Sequence, residues 1–215
     1  MPLHTSDALI LRSYMLGESD RIVVFLTRDR GKKRGVAKNA RQSRRRFGGA
    51  LEPLTCGRVS YMERERRDLV RVDYVEPTRS PLAAADGEAL GYVGYFAELI
   101  DEWAPEADPN ESLYRLGVST VEAMAEGVPI DPLARYFEFW LLRLQGVYEL
   151  DDRLSTEART FLAAARTASP AALGTLTVPN AALRELETAH RTLISRHLEK
   201  ELHSTRVLRA MRRQV

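Results

Sequence analysis

The sequence predicts an α+β protein: an N-terminal OB-fold β-barrel followed by an all-α helical domain. Three observations predict it. Short runs of β-branched and aromatic residues fill the first 77 positions, helical apolar spacing replaces them from Pro81 onward, and turn residues cut the first part into about five strands. The change of pattern at Glu76 to Ser80 sets the boundary, with residues 1–79 as the barrel and 80–215 as a helical domain.

The strands are expected near 6–15, 20–28, 31–38, 55–64 and 68–76. Ala8, Ile10 and Tyr14 mark the first, and Ile22, Val24 and Leu26 the second. Val59 and Tyr61 mark the fourth, and Leu69, Val70, Val72 and Val75 the fifth. Gly17 to Asp20, Asp29 to Gly31, Phe47 to Gly49 and Glu63 to Arg67 supply the turns. Five short strands with a longer connection between the third and fourth suit an OB barrel. An SH3-like barrel is the nearest rival, and strand counting does not separate the two.

In the second part, Leu90, Val93, Tyr95, Phe96, Leu99, Ile100 and Trp103 recur at helical spacing until Pro105. Asn110 is a good cap for a second helix, ended by Gly127, and Asp131-Pro132 reads as a cap followed by a first-turn proline. The helix it launches is apolar nearly all round, holding Tyr136, Phe137, Phe139, Trp140, Leu141 and Leu142, and is expected at the centre of the helical domain. Ser155 opens another helix, Ser169-Pro170 a short one, and Leu183 to Arg213 a long terminal one.

At 215 residues with 44% hydrophobic content, the chain can bury roughly 70% of its unfolded surface. The single cysteine, Cys56, permits neither an internal disulfide nor a Cys-rich zinc site, and is expected as a small buried apolar residue in a reducing compartment. The N-terminus lacks a basic, apolar leader and no stretch reaches ~18 uncharged apolar residues, so a cytoplasmic protein is expected, with no membrane partner.

Charge carries the functional reading. Between Arg28 and Arg46 stand ten basic residues (Arg28, Arg30, Lys32, Lys33, Arg34, Lys38, Arg41, Arg44, Arg45, Arg46) against one acid, Asp29. The overall +2 conceals a segregation: 18 basic against 10 acidic residues in 1–80 (+8), 5 against 16 in 81–160 (−11), and 9 against 4 in 161–215 (+5). Crowded like charges oppose compaction, so the segregation points to a polyanionic partner, nucleic acid first. Tyr14, Phe25, Phe47, Tyr61 and Tyr74 are the aromatic candidates for base stacking, with Phe47 foremost and Tyr14 or Tyr61 behind it. The acidic middle would repel DNA.

Catalytic motifs are absent from the sequence: there is no phosphate loop, no Gly-x-Gly-x-x-Gly, no Gly-x-Ser-x-Gly and no His-Glu-x-x-His. His190, His197 and His203 lack partners at ligand spacing and read as surface or packing residues. The acid pairs Asp101-Glu102 and Asp151-Asp152 read as solvated surface. No enzyme activity, cofactor or metal is expected.

Specific residues add to this. The run Gly17-Glu18-Ser19-Asp20-Arg21-Ile22-Val23, then Phe25 to Lys32, Val36 to Arg41, Ser43, Arg46-Phe47-Gly48-Gly49 and Leu51-Glu52-Pro53-Leu54 resembles the N-terminal barrel of the RecO family of recombination mediators. Weaker likenesses occur at Tyr136 to Leu142 with Gly146, and at Arg196-His197-Leu198 through Arg206. The resemblance implies ATP-independent binding of single- and double-stranded DNA, strand annealing, and a part in DNA repair and recombination. It further implies RecR and the acidic C-terminal peptide of the single-stranded DNA-binding protein as partners, RecA indirectly, and a place on the nucleoid.

The match places phosphate contacts on Lys32, Lys38, Arg41 and Arg46, with Arg34, Arg44 and Arg45 beside them. For the acidic peptide, which needs a cationic rim, Arg135, Arg143, Arg191 and Arg196 are available, and Arg143 and Arg196 are singled out. Many family members carry a four-cysteine zinc site after the glycine matched by Gly146; Val147 to Asp152 holds no cysteine, so zinc is not expected here. In the first hairpin, Ser19 and Asp20 are expected to accept backbone N–H bonds and Glu18 to pair with Arg21 or Arg41. The alternative reading is a helical protein-interaction adaptor without direct DNA binding; a nuclease is the other competitor.

Overall fold

The computed structural model describes residues 2–63, 69–85 and 87–212. The expected turn residues 64–67, the expected start of the fifth strand at Asp68 and the expected helix end at Arg213 lie outside them. Five strands, β1 (Leu3–Leu16), β2 (Asp20–Thr27), β3 (Gly31–Ala37), β4 (Cys56–Met62) and β5 (Leu69–Arg79), close a barrel in the order β1-β2-β3-β5-β4. The long β1 pairs with β4 through Leu3–Leu9 and with β2 through Ala8–Leu16. Pairing is antiparallel except for β3 with β5, where Arg34 to Ala37 meet Leu69 to Val72 in parallel. That parallel ladder, reached across the β3–β4 connection, is the OB arrangement and settles the choice against an SH3-like meander.

Both faces of β1 and β2 are covered, which explains why Ala8–Leu11 and Val23–Leu26 are continuous apolar runs rather than alternating ones. Ala8, Ile10, Val23, Phe25, Val59 and Tyr61 fill the barrel. Leu9, Leu11, Val24, Leu26, Leu54 and Cys56 point the other way, into one continuous core with the helices. Burial pushes the Cys56 thiol up to about 12.

After a 3-10 turn at Pro81–Ala83 come six α-helices among the described residues, α1 (Gly87–Trp103), α2 (Glu111–Ala125), α3 (Ile130–Leu144), α4 (Thr156–Ala165), α5 (Asn180–Leu198) and α6 (His203–Arg212), with a 3-10 helix at Pro170–Thr175 before α5. Asn110 and Ser155 cap α2 and α4 by accepting the N–H groups of Leu113 and Ala158. Buried on nearly every side, α3 encloses even Arg135 and Glu138. Asp131 is not its cap. The helix begins two residues earlier than expected, at Ile130 with Pro129 in the cap position, and the Asp131 carboxylate accepts instead from Arg212 at 3.1 Å.

The single terminal helix expected from Leu183 onward is two. Glu199 turns left-handed at φ 54°, and the Glu98 carboxylate accepts the N–H groups of His203 (2.9 Å) and Ser204 (2.7 Å), starting α6 afresh against α1. Desolvation alone would raise the Glu98 carboxyl, but the bonds from Ser204 and His203 outweigh it and hold it below its ordinary range.

The chain between α1 and α2 joins the edge of β3: Lys32 donates its backbone N–H to Pro105, and Ala107 donates to Lys32. Gly31, at φ +69°, permits this approach, because a Cβ there would stand 2.4 Å from the Asp108 backbone.

Candidate nucleic-acid interface

The loop leaving β3 is tied to the tip of the β1–β2 hairpin. Asn39 takes a left-handed φ of 54° and donates its N–H to Asp20 Oδ1 at 2.9 Å; Arg41 donates its N–H to the Ser19 carbonyl (3.2 Å) and its guanidinium to the Glu18 carbonyl (2.8 Å). Asp20 thus accepts a backbone bond as expected, although from the next loop rather than its own turn. Glu18 meets Arg41 through its main chain, and its carboxylate pairs with neither Arg21 nor Arg41. Further along, Arg46 donates to the Lys38 carbonyl (2.8 Å) and to Ser43 Oγ (3.0 Å), and its guanidinium lies 5.0 Å from the centroid of the Phe47 ring.

Phe47 does not stack on a ligand. It is 2% exposed and enters the barrel with Ala50 and Leu51, a plug whose apolar side chains close one end while the basic ones face outward. Tyr61 and Phe25 are likewise barrel core, in edge contact at 5.5 Å. Of the aromatic candidates, Tyr14 and Tyr74 remain exposed.

The ten basic residues sort into two groups. Arg28 meets Glu111 at 2.8 Å, Arg30 meets Asp29 at 3.7 Å, Lys33 meets Glu63 at 2.9 Å and Arg34 meets Glu106 at 3.4 Å. Lys32 is buried: its ammonium lies 3.3 Å from Asp101 Oδ1 and 3.6 Å from Glu106, and donates to the Asp101 carbonyl at 2.6 Å. This removes Lys32 from the phosphate set, because a side chain enclosed between β3 and α1 presents no charge to solvent, and it leaves Arg34 only half available. Lys38, Arg41, Arg44, Arg45 and Arg46 have no carboxylate within 4 Å among the described residues; the first four are exposed and Arg46 is half-buried.

Charge segregation along the chain is therefore partly internal. Asp101, Glu106, Glu111 and Glu122 of the acidic middle hold Arg12, Lys32, Arg34, Arg28 and Arg79 of the barrel. Asp101, expected on the surface, is buried at the junction, with Arg12 Nε at 3.0 Å. Its position four residues after Ala97 and eight after Val93 on one helix face was the signal to find it.

Sequence reasoning also missed a buried polar cluster. Glu138 accepts from Arg135 (2.8 Å) and Tyr95 (2.8 Å) and meets His190 Nδ1 at 3.0 Å, so the Arg135 guanidinium is buried and already paired. Arg143 is exposed, with its guanidinium 5.4 Å from the centroids of Phe139 and Trp140. Arg196 stands 3.7 Å from Glu149 and lines a cavity of about 600 Å3 together with Glu149, Asp151 and Glu185. Arg153 lines it too, so three carboxylates face two guanidiniums there and the cavity offers an acidic ligand no net positive charge. No group of three potential metal ligands, and no helix long and apolar enough to cross a membrane, occurs among the described residues.

Comparison with known proteins agrees with the barrel-then-helices layout. A family model described as the recombination protein O N terminal matches residues 1–81, and one described as its C terminal matches 84–151; residues 152–215, including the likeness expected around Arg196 to Arg206, fall outside both. The DNA repair protein RecO of Koribacter versatilis is 42% identical over 163 residues, 70% of this chain and 66% of that protein. Those of Anaeromyxobacter sp. strain K and Geobacter metallireducens are 40% and 39% identical over 65% and 66% of this chain, covering 55% and 57% of their own lengths. The chain thus spans between about half and two thirds of the curated relatives it matches. With both family models aligned in order on the two structural layers, the chain belongs to the RecO family.

Proposed function

We propose that this chain is a non-enzymatic DNA-binding mediator of repair and recombination, gripping phosphates through the loop after β3 and bringing complementary single strands together. One observation carries the reading: Lys38, Arg41, Arg44, Arg45 and Arg46 crowd one short loop that the protein's own described carboxylates leave uncompensated. Such a cluster releases counterions from a phosphate backbone. Annealing needs no covalent step, since pairing is downhill once strand repulsion is screened. Family membership supports the wider role: assisting RecA loading onto strands coated by single-stranded DNA-binding protein, with RecR and that protein's acidic C-terminal peptide as partners, in the cytoplasm at the nucleoid. Within the helical layer, Arg143 over Phe139 and Trp140 is the better placed of the two arginines for such a peptide.

The test is a titration of fluorescent single-stranded oligonucleotide at several salt concentrations. Five phosphate contacts give a slope of log K against log salt of roughly −3.5. A flat, weak response would return the chain to the adaptor reading, and metal-dependent cleavage on long incubation with magnesium or manganese would make it a nuclease.

A further inference from the structure

The β1–β2 hairpin runs past the barrel and ends in three large apolar residues that stand open among the described residues: Tyr14, Met15 and Leu16 are 43%, 66% and 40% exposed. They pair with Ile22, Arg21 and Asp20, so Tyr14 and Leu16 project from one side of the two-stranded ribbon and Met15 from the other. Tyr14, Leu16 and Ile22 thus give one side of the ribbon an apolar surface edged by Asp20, Met15 stands beside Arg21 on the other, and Ala8 to Leu11 further along β1 are buried. The ribbon's turn is the element to which the basic loop is bonded, through Asp20 to Asn39 and through the Glu18 and Ser19 carbonyls to Arg41. An apolar tip and a cationic loop are thus held in fixed register.

From this juxtaposition we infer that the hairpin tip is a base-contacting element: Tyr14, Met15 and Leu16 pack against unpaired nucleobases whose phosphates the neighbouring loop holds. The inference rests on the proposed DNA binding and adds what the cations alone lack. Phosphate contacts are the same in kind for single strands and duplexes, whereas apolar surface meets bases only where they are unstacked. An amphipathic site of this make-up selects single strands over duplex and tolerates any sequence, since every base offers an apolar face. Phe47, being the barrel plug, leaves Tyr14 as the aromatic member.

The experiment compares three polymers of equal length by fluorescence anisotropy: oligothymidine, an abasic deoxyribose-phosphate chain and a duplex. The wild-type protein is expected to bind oligothymidine about tenfold more tightly than the abasic chain, the fold-change of one stacked base. Combined Tyr14→Ser, Met15→Ser and Leu16→Ser should erase that difference and the preference over duplex while leaving the salt slope on the abasic chain unchanged. Met15→Ser alone, at the most exposed of the three positions, should reduce it and serves if the triple variant does not fold. Equal, salt-dependent affinity of the wild type for oligothymidine and the abasic chain overturns the base contact and leaves the phosphate grip standing. Affinity for neither polymer overturns both. A triple variant that keeps its base preference but changes its sedimentation behaviour assigns the tip to a protein contact and likewise overturns the inference.

Discussion

Lys32→Met separates a cation that builds the fold from one that binds a ligand. The ammonium lies 3.3 Å from Asp101 Oδ1 with both side chains nearly enclosed, at 8% and 7% exposure. Removing one partner of a buried pair costs about 3–5 kcal/mol, because the survivor keeps its desolvation penalty. Here the survivor is partly relieved: Arg12 Nε stays 3.0 Å from Asp101 Oδ2. The lower end, about 3 kcal/mol, is therefore expected, and at 2–4 °C per kcal/mol for a chain of this size the melting temperature falls by about 6–12 °C. Adding Asp101→Leu removes the stranded carboxylate and should restore most of the loss, a non-additivity that a double-mutant cycle in urea reads directly. Oligonucleotide affinity and its salt slope should stay at wild-type values in both variants, measured below the lowered melting point. An unchanged melting temperature together with a salt slope reduced by about 0.7 would refute the assignment and return Lys32 to the phosphates.

Combined Lys38→Ala, Arg44→Ala and Arg45→Ala, which touches none of the loop's own hydrogen bonds through Arg41 and Arg46, should flatten the salt slope by about 2 and leave the melting temperature within a degree or so, by anisotropy and calorimetry. Gly31→Ala places a methyl 2.4 Å from the Asp108 backbone at φ +69° and should cost about 3 kcal/mol or more in urea unfolding, from left-handed strain and overpacking together. Glu98→Gln weakens the start of α6 by about 1 kcal/mol at neutral pH. Because the folded Glu98 carboxyl is held below its ordinary value, that contribution is complete above the unfolded pKa and fades as pH falls through the folded one, so wild type and variant should converge only once the pH has dropped below the ordinary carboxylate range. Cys56, its thiol pushed up to about 12 by burial, should resist thiol reagents at neutral pH in the native protein and react fully in denaturant.

The barrel was legible because its turns are written in Gly, Asp and Ser and its strands in β-branched residues, both local signals. Its topology was not, since the parallel β3–β5 ladder depends on where a long loop delivers β4, which no local residue states. Helix starts at Asn110 and Ser155 were readable from their caps. The break at Glu199 was not, because a carboxylate more than a hundred residues away, Glu98, starts the following helix. At the site, the sign of the charge was legible and its pairing was hidden: Asp101, Glu106 and Glu111 are remote in sequence from the cations they hold. Phe47 reads as a base-stacking residue because it is an aromatic set in the basic run. Phe47, Ala50 and Leu51 at i, i+3 and i+4 in a basic segment instead mark the apolar side of a plug.

Under the proposed DNA binding, the fate of the acidic middle determines where the polymer would have room. Small OB barrels commonly take oligonucleotides across the β2–β3 face and its flanking loops. In this chain the outer side of β2 presents Val24 and Leu26 to the helical layer, and the segment Pro105–Ala107 is bonded to the edge of β3, with Glu106 beside Lys32 and Arg34. The helical layer therefore occupies part of the usual surface and neutralises the cations that stand on it. What stays open lies at the other end of those strands, where β1 turns into β2 and β3 runs into its loop, and there the charges are uncompensated among the described residues. The acids that secure the two layers to each other neutralise the barrel cations on that side, so under the proposed DNA binding a phosphate backbone would find its unpaired cations at the hairpin end of the barrel.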